Sequence, residues 1–478
     1  MKHLSALDAV FLHLETPETP MHVGSLMLLD RPPGRKKPYA AIRDHIARRL
    51  HLAPVFSRKL AFMPLDLANP VWLDADEIDL DHHIRGLTLA APGTVTQLED
   101  AVAKLHEATL DRARPLWQFT VIEGLASGKV AFYAKIHHAA LDGQGGIAVA
   151  QALLDAQARP ARRAGQAGPP SSRGRQATSR GRQATPGRHS PMRMLGAALC
   201  NTVAQYGRMV RGLPDVVKAA ARGGAVALSS AELRKRGITL GPRTPLNAAI
   251  SPRRAFATAQ IPLAEAKAIA RHFDAKLNDV VLATCAGALR RHFKGDKAAL
   301  AKAMIGAIPV SLRDPGDTTQ ANYVSMMLVS LATNVADPAK RMAAICAAST
   351  RAKALTGSMK GAIPTDMPSL GIPWLMARIT PLYRKAAAAN RIPVIANLVI
   401  SNVPGPQAPL YLAGAELRAY YPVSIVTHGL ALNVTIVSYH GTLDYGLVSA
   451  RQSMPNLRQF ARHLKRAHEE LMKIAGKR

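Results

Sequence analysis

A tract one third of the way along the chain sets the limits on what it can fold into. "ARPARRAGQAGPPSSRGRQATSRGRQATPGRHSP" holds Arg159, Arg162, Arg163, Arg173, Arg175, Arg180, Arg182 and Arg188 without one acid, and "SRGRQAT" occurs twice in tandem between Ser172 and Thr185. Gly, Pro, Ser and Gln make up much of the remainder. Such a segment cannot bury enough apolar surface to offset the entropy of ordering it, so it is expected to be a disordered linker. A chain of 478 residues is also too long for one ordinary core. The tract therefore divides the chain. A first domain is expected at 1–155, the linker at 156–191, a helical connecting segment at 192–245 and a second domain at 246–478.

Both halves mix helices with strands. In the first, "TVTQLEDAVAKLHEATL" reads as a helix with Thr96 and Glu99 as a capping box and Leu98, Val102 and Leu105 on one face. "PLWQFTVIEGL" and "KVAFYAKIH" read as strands from their aromatic and β-branched content, and "GGIAVAQALLDAQA" returns to helix. In the second, "AEAKAIARHF" and "LNDVVLATCAGALRRHF" read as helices, and Asp337-Pro338 opens another in the N-cap/N1 pattern. "IANLVISNVPGP" is a strand, "ALNVTIVSYHGTLDYGLVSA" a hairpin turning at His440-Gly441, and a last helix after Pro455 carries Leu457, Phe460, Leu464, His468 and Leu471 on one side. The fold class is α/β with mixed sheets, as two domains joined by a crossover linker. Between them, Met192 to Leu213 sets Leu195, Leu199, Val203, Tyr206, Val210 and Leu213 opposite Arg193, Arg208 and Arg211. This face suits either an interdomain helix or a basic helix on an anionic membrane.

Charge narrows the partners. Lys and Arg number 62 against 32 Asp and Glu, a formal +30. That excess attracts nucleic acid, anionic headgroups or phosphorylated small molecules. The Arg-Gly tract has no Phe or Tyr on which bases could stack, so no nucleic acid is expected. Cys200, Cys285 and Cys346 are scattered and form no CxxC, which argues against a thiolate zinc site or a disulfide framework and suits a reducing cytosol. The N-terminal "MKHLSALDAVFLHLETPETP" lacks a signal h-region, and no run of 18 apolar residues occurs anywhere. A soluble or peripheral protein is expected.

The stretch "AKIHHAALDGQGG" carries the chemistry. Strand residues alternate faces, so His137 and His138 cannot both ligate one metal while the strand lasts, and no metal is expected. His138 continues the apolar face of Val130, Phe132, Ala134 and Ile136, and is the one expected to look inward. There an imidazole could take a proton from a hydroxyl and return it to a leaving group. Asp142-Gly143 suits the loop that follows, since Asp accepts backbone N–H groups or an Arg and Gly tolerates positive φ. A second pair, His82 and His83, is crowded by Asp79, Asp81 and Arg85 and has no Asp-Gly behind it. A His-His pair alone is weak evidence.

"HHAALDG" fits the HHxxxDG motif of the CoA-dependent acyltransferase superfamily, which includes condensation domains and plant-type alcohol acyltransferases. More narrowly, the chain resembles the bacterial wax ester synthase/diacylglycerol acyltransferase family. The likeness runs through "LSALDAVFLHLETPETPMHVGSL", "LDRARPLWQFTVIEGL" with Pro115, Leu116 and Trp117, "PRTPLN", "LNDVVLA" with Asn278 and Asp279, "SNVPGP" and "LNVTIVSYHGTLDYG". It covers nearly everything but the Arg-rich linker, whose duplication is peculiar to this chain.

The resemblance implies two chloramphenicol-acetyltransferase-like domains, only the first with the motif. It implies transfer from a long-chain acyl-CoA to diacylglycerol or a fatty alcohol, with His138 as general base, His137 in support, and Asp142 and Gly143 shaping the loop. No acyl-enzyme and no cofactor are needed, which agrees with the lack of a GxSxG elbow. Pro115, Leu116 and Trp117 would line the apolar acceptor side, or else be a buried strand start. Asn278 and Asp279 would orient substrate, or else cap a helix. The hydrocarbon substrates place the protein in the cytoplasm at the inner face of the membrane or at a lipid droplet, where a basic exterior meets anionic headgroups. "HFKGDKAALAKA" and "RRHF" offer cations for the CoA phosphates. Two other functions fit the same fold: a condensation-type enzyme fed by a carrier protein, and a lipid-droplet binding protein with little activity. Chain-length preference and the choice between wax ester and triacylglycerol are not written in the sequence.

Overall fold

The computed structural model describes residues 2–4, 6–32, 37–141, 145–158, 240–311, 324–358, 372–388 and 394–476. The Arg-rich tract, the 192–213 segment, Asp142 and Gly143 lie outside the described residues. The strands are β1 (Lys2–His3), β2 (His22–Leu29), β3 (Arg58–Ala61), β4 (Val71–Asp74), β5 (Ile84–Thr88), β6 (Trp117–Glu123), β7 (Val130–His137), β8 (Arg254–Pro262), β9 (Ile305–Ser311), β10 (Val324–Ser330), β11 (Leu398–Pro404), β12 (Tyr411–Leu412), β13 (Ala415–Val423), β14 (Leu432–Tyr439) and β15 (Thr442–Ala450). The helices used below are α1 (Ala6–Leu14), α2 (Pro38–Ala47), α3 (Leu80–His83), α4 (Val95–Glu107), α5 (Gly145–Leu153), α6 (Leu263–His272), α7 (Leu277–His292), α8 (Lys297–Leu300), α9 (Pro338–Ser358), α10 (Ile372–Ala388) and α11 (Leu457–Ala475).

Two six-stranded sheets carry the molecule, in the orders β12-β13-β2-β7-β6-β5 and β10-β9-β11-β14-β15-β8, with a small third sheet β1-β4-β3. Both large sheets are mixed. β5 runs parallel to β6, and β11 runs parallel to both β9 and β14, while the other pairings are antiparallel. The central strands β7 and β14 are buried along their whole length on both faces.

The second half of the chain completes the first sheet. β13 pairs antiparallel with β2 from Leu417 opposite Leu29 to Val423 opposite Gly24. Asp444 of β15 accepts the Tyr420 N–H at 2.7 Å, and its other oxygen is held by Gln260 and Thr442. Between the sheets lies a core drawn from both halves, including Leu26, Leu98, Tyr133, Ile250, Phe256, Tyr421 and Val448. Across the same seam Glu99 of α4 accepts the Thr258 N–H at 2.8 Å and the Arg458 Nε–H at 2.8 Å.

Glu99 is therefore an interdomain tie, and the expected capping box at Thr96 and Glu99 sits two residues too late. Helix α4 starts at Val95 with Thr94 as N-cap and Gln97 as its reciprocal partner. Thr94 directly follows Gly93, whose φ of 66° ends the preceding turn. The start of α9 and the turn after β14 agree with the sequence. Asp337 Oδ1 caps α9 by accepting the Lys340 N–H at 2.8 Å, and His440 and Gly441 both take positive φ in the two-residue turn between β14 and β15. In α11, Leu457, Phe460, Leu464, His468 and Leu471 are all buried.

Candidate active site

The histidine pair sits where β7 runs out, and its neighbours are set by three elements. β2 lies beside β7 with His22 opposite His137. One residue earlier, the Met21 carbonyl accepts the His138 N–H at 2.9 Å, and on the other side the Leu116 carbonyl accepts the His137 N–H at 2.9 Å. α1 covers the turn: Ala9 and Leu12 are buried in one cluster with Leu110, Leu116 and Ala139. Burying a leucine side chain is worth roughly 1.5–3 kcal/mol, so this small cluster firmly seats the helix on the turn.

His138 does not continue the strand. It opens a 3-10 turn, His138–Ala140, so the alternation that sends it inward stops one residue short. Both histidines are in the body of the protein, and His137 is the more deeply buried, with no exposed surface, while His138 keeps partial exposure. The His138 ring lies flat on Phe11, centroids 3.9 Å apart and planes 15° apart. Among the described residues its buried Nδ1 has no hydrogen-bond partner. Burial pushes the imidazole down to about 4; its own carbonyl offsets part of this and His137 adds to it. His138 is neutral at pH 7, the form a proton acceptor needs.

His137 is held at both nitrogens. Its Nδ1 accepts the Ala139 N–H at 3.1 Å, which shapes the turn, and its Nε2 stands 3.4 Å from Glu15 Oε1. At that distance the second contact is an electrostatic one rather than a well-aligned hydrogen bond, and among the described residues Nε2 has no hydrogen-bond partner. Glu15 Oε1 also accepts the Met21 N–H at 3.0 Å. Its Oε2 takes two donors from Arg112, Nη2 at 3.0 Å and Nε at 3.3 Å. Arg112 Nη2 is further bonded to the Leu12 carbonyl at 2.7 Å. Burial alone pushes the Glu15 carboxyl up, yet His137, the Met21 N–H and Arg112 together outweigh it and hold the group below its usual range. Glu15 is thus a buried carboxylate, paired and ionised.

Behind the turn is a second polar layer. His22 Nε2 lies 2.8 Å from the His106 carbonyl, and His106 Nδ1 lies 2.7 Å from the Tyr133 hydroxyl. Lys135, also buried, donates from Nζ to the Leu105 and Ala108 carbonyls at 3.0 and 2.9 Å, closing the end of α4. Burial lowers its ammonium to about 8. The face of β7 opposite the apolar one is therefore internal too.

The other expected residues fall in distinct places. Pro115, Leu116 and Trp117 are all buried. Leu116 supports the turn, and Trp117 donates Nε1–H to the Phe56 carbonyl at 3.1 Å among Phe56, Phe119 and His83. Asn278 and Asp279 open α7 but neither is its N-cap, which is Lys276; Asp279 Oδ2 accepts the Lys276 N–H at 3.2 Å, and among the described residues its buried Oδ1 has no hydrogen-bond partner. Among the described residues, no hydrogen bond or ion pair joins either to the histidine turn. His83 packs on Trp117 and bonds its carbonyl, a structural role. Phe11, Glu15 and Arg112 escaped the reading of the sequence as site residues. Their only local signal is that Glu15 is an acid at the end of the apolar run "AVFLHLE".

Among the described residues no group of His, Cys, Asp or Glu is placed to hold a metal ion, and no helix is long and apolar enough to cross a membrane. Cys285 is buried, its thiol pushed up to about 12 by burial, so it is not a nucleophile.

Comparison with known proteins decides the family. Residues 4–281 match the wax ester synthase/diacylglycerol acyltransferase catalytic domain, and residues 320–472 match the corresponding C-terminal domain. The chain belongs to this acyltransferase family. A Mycobacterium tuberculosis relative, described as a "Probable diacyglycerol O-acyltransferase", is 33% identical over 479 residues, covering 98% of each chain. The solved wax ester synthase/diacylglycerol acyltransferase from Marinobacter aquaeolei VT8 matches over 100% of both chains with a TM-score of 0.69 and 28% identity. The first condensation domain of the calcium-dependent antibiotic synthetase shares the fold, with a TM-score of 0.54 and 13% identity over 99% of this chain and 97% of that one. Within the matched catalytic domain lies the His137-His138 turn described above.

Proposed function

We propose that this acyltransferase moves a long-chain acyl group from acyl-CoA to the hydroxyl of diacylglycerol or a fatty alcohol, with His138 as the general base. The observation that carries this reading is the state of His138: a neutral imidazole, flat against Phe11, at the end of a buried strand. Its Nδ1 is inside the protein, so Nε2 is the nitrogen that meets substrate. In the reaction Nε2 takes the hydroxyl proton as the oxygen attacks the thioester carbonyl. A tetrahedral oxyanion forms, its C–S bond breaks, and the CoA thiolate leaves with the proton from the imidazolium. A buried imidazolium is costly alone, but here it forms beside the developing oxyanion, so the two charges offset each other. Direct transfer needs neither an acyl-enzyme nor a resident cofactor. Asp142 and Gly143 would shape the loop behind the turn. Pro115, Leu116 and Trp117 would back the acceptor side, and Asn278 and Asp279 would serve the second domain's wall of the cleft.

Water-insoluble substrates call for contact with a lipid surface. α10 is suited to it: Ile379 and Leu382 are exposed there beside Arg378 and Lys385, and Thr380 of the same helix donates to the His13 carbonyl of α1 at 3.3 Å. We place the anionic membrane or droplet surface on that face.

The test is CoA release by purified protein from palmitoyl-CoA, with hexadecanol or dioleoylglycerol as acceptor. Wild type should need an acceptor, and His138→Ala should lose at least about 100-fold in rate while keeping its fold. A folded His138→Ala protein as active as wild type would remove the base assignment. No turnover with either acceptor would remove the activity.

A further inference from the structure

Two adjacent histidines are gripped by two side chains of one short segment. Phe11 lies on His138, and Glu15, four residues on, faces His137. That spacing sets both on the same side of the chain as α1 ends. We propose that Glu15, anchored by Arg112, is the positioning residue of the histidine turn: it holds the His137 proton on Nε2, leaves Nδ1 free to accept the Ala139 N–H, and so fixes the backbone from which His138 works. This rests on the reading of His138 as the base.

Donors and acceptors around His137 fix its tautomer. A neutral imidazole has one of each. Nδ1 of His137 accepts a backbone N–H, so the proton is on Nε2, and the group in front of Nε2 is a carboxylate oxygen. With the proton moved to Nδ1, two N–H groups would face each other across the turn, and a lone pair would face a carboxylate. The same oxygen, Oε1, also accepts the Met21 N–H, and the Met21 carbonyl accepts the His138 N–H. One carboxylate oxygen is thus linked to both histidines, through the His137 ring and through the Met21 peptide. Only an acceptor at every position satisfies this site. Arg112 brings two donors and Met21 a third, and the His137 Nε2 faces Oε1 at 3.4 Å. A glutamine at position 15 has the right size but must turn an NH2 either to Arg112 or to Met21 and His137, so a donor meets a donor in both orientations.

The chain can be labelled with 15N-histidine and the ring protons located by two-bond 15N–1H correlation, alongside kinetics with palmitoyl-CoA and both acceptors. Wild type should show His137 protonated on Nε2. Glu15→Gln should lose that pattern and lower kcat by about 10- to 100-fold, with KM for acyl-CoA and acceptor within about two-fold. Glu15→Asp, which keeps the charge, should recover part of both readouts. In a His138→Ala background Glu15→Gln should change the residual rate by less than about two-fold, since a positioning residue has nothing left to position. If Glu15→Gln does not fold, Arg112→Lys, which keeps a cation but not the fork, should lower kcat in the same way by a smaller factor. An unchanged tautomer, or a rise in both KM values that matches the fall in kcat, would overturn the proposal. A tautomer shift in Glu15→Gln together with a fully active His138→Ala would instead uphold the grip on His137 and overturn the base.

Discussion

His138 shows how one residue's surroundings set its chemistry. An imidazole in water titrates near 6.5, whereas burial brings this one to about 4. The sign follows from the charge: burial penalises the imidazolium, so the neutral form persists to lower pH. If His138 is the base, the acid limb of kcat/KM in the free enzyme should fall near pH 4 and the rate should be flat from about pH 5.5 upward, well below the limb of an ordinary histidine. Initial rates taken at once after a jump from neutral pH, on a short soluble thioester and alcohol, would show it. Phe11 covers one face of the ring. Phe11→Ala admits water there, and the limb should move up toward 6.5. A wild-type limb already at 6.5 would mean that the ring is solvated and that Phe11 does not cover it in solution.

At the scale of elements, the strand supplied from the far half is what makes two sheets into one protein. β13 crosses over β15 so closely that a Cβ on Gly446 would lie 1.6 Å from the Pro422 carbonyl oxygen. That neighbour is backbone, with no side-chain rotation to relieve it. Gly446→Ala should therefore cost at least about 1–3 kcal/mol, seen as a lower urea midpoint, and should loosen β13 before the second sheet. A midpoint equal to wild type would mean that β13 does not sit there. This crossing also marks where reading the sequence stops. The strands ending at Glu123 and His137, the His440-Gly441 hairpin and the α11 stripe were legible because each is written in a local period or turn. The cap of α4 slipped by two residues because Thr94 and Thr96 each have a Gln or Glu three residues on, and only the Gly93 turn chooses between them. β13 joining β2, and Arg112 reaching Glu15 from 97 residues away, leave no period at all. The His-His pair was legible; the groups that hold it were not.

Across the whole molecule, buried neutral histidines and a large positive charge act in the same direction. His22 is pushed well below its ordinary range, chiefly by burial, His106 to about 3, and His83 and His138 to about 4. In the unfolded chain each takes up a proton as pH falls through about 6.5, while in the folded protein each stays neutral until lower pH. The unfolded state then binds more protons, so the stability these groups contribute is full above about 6.5 and is lost as pH falls toward 4. Each group can contribute up to about 1.4 kcal/mol per pH unit inside that window, and four together on the order of 5. Against a typical total of about 5–15 kcal/mol, that is enough to unfold a domain within one to three units below 6.5. The formal +30 sharpens this, because every proton added to the 32 acids or 17 histidines raises the self-repulsion of the folded state. Glu15, held below the usual carboxylate range, works in a lower window and cannot account for losses above pH 5. Urea midpoints taken at pH 7.5, 6.5, 5.5 and 5.0 should fall steeply from 6.5 downward. They should fall less in His83→Gln, which removes one proton-linked group while keeping a donor for the Trp117 carbonyl. A stability flat down to pH 5 would show that these rings are solvated in solution, and with them the turn that presents His138.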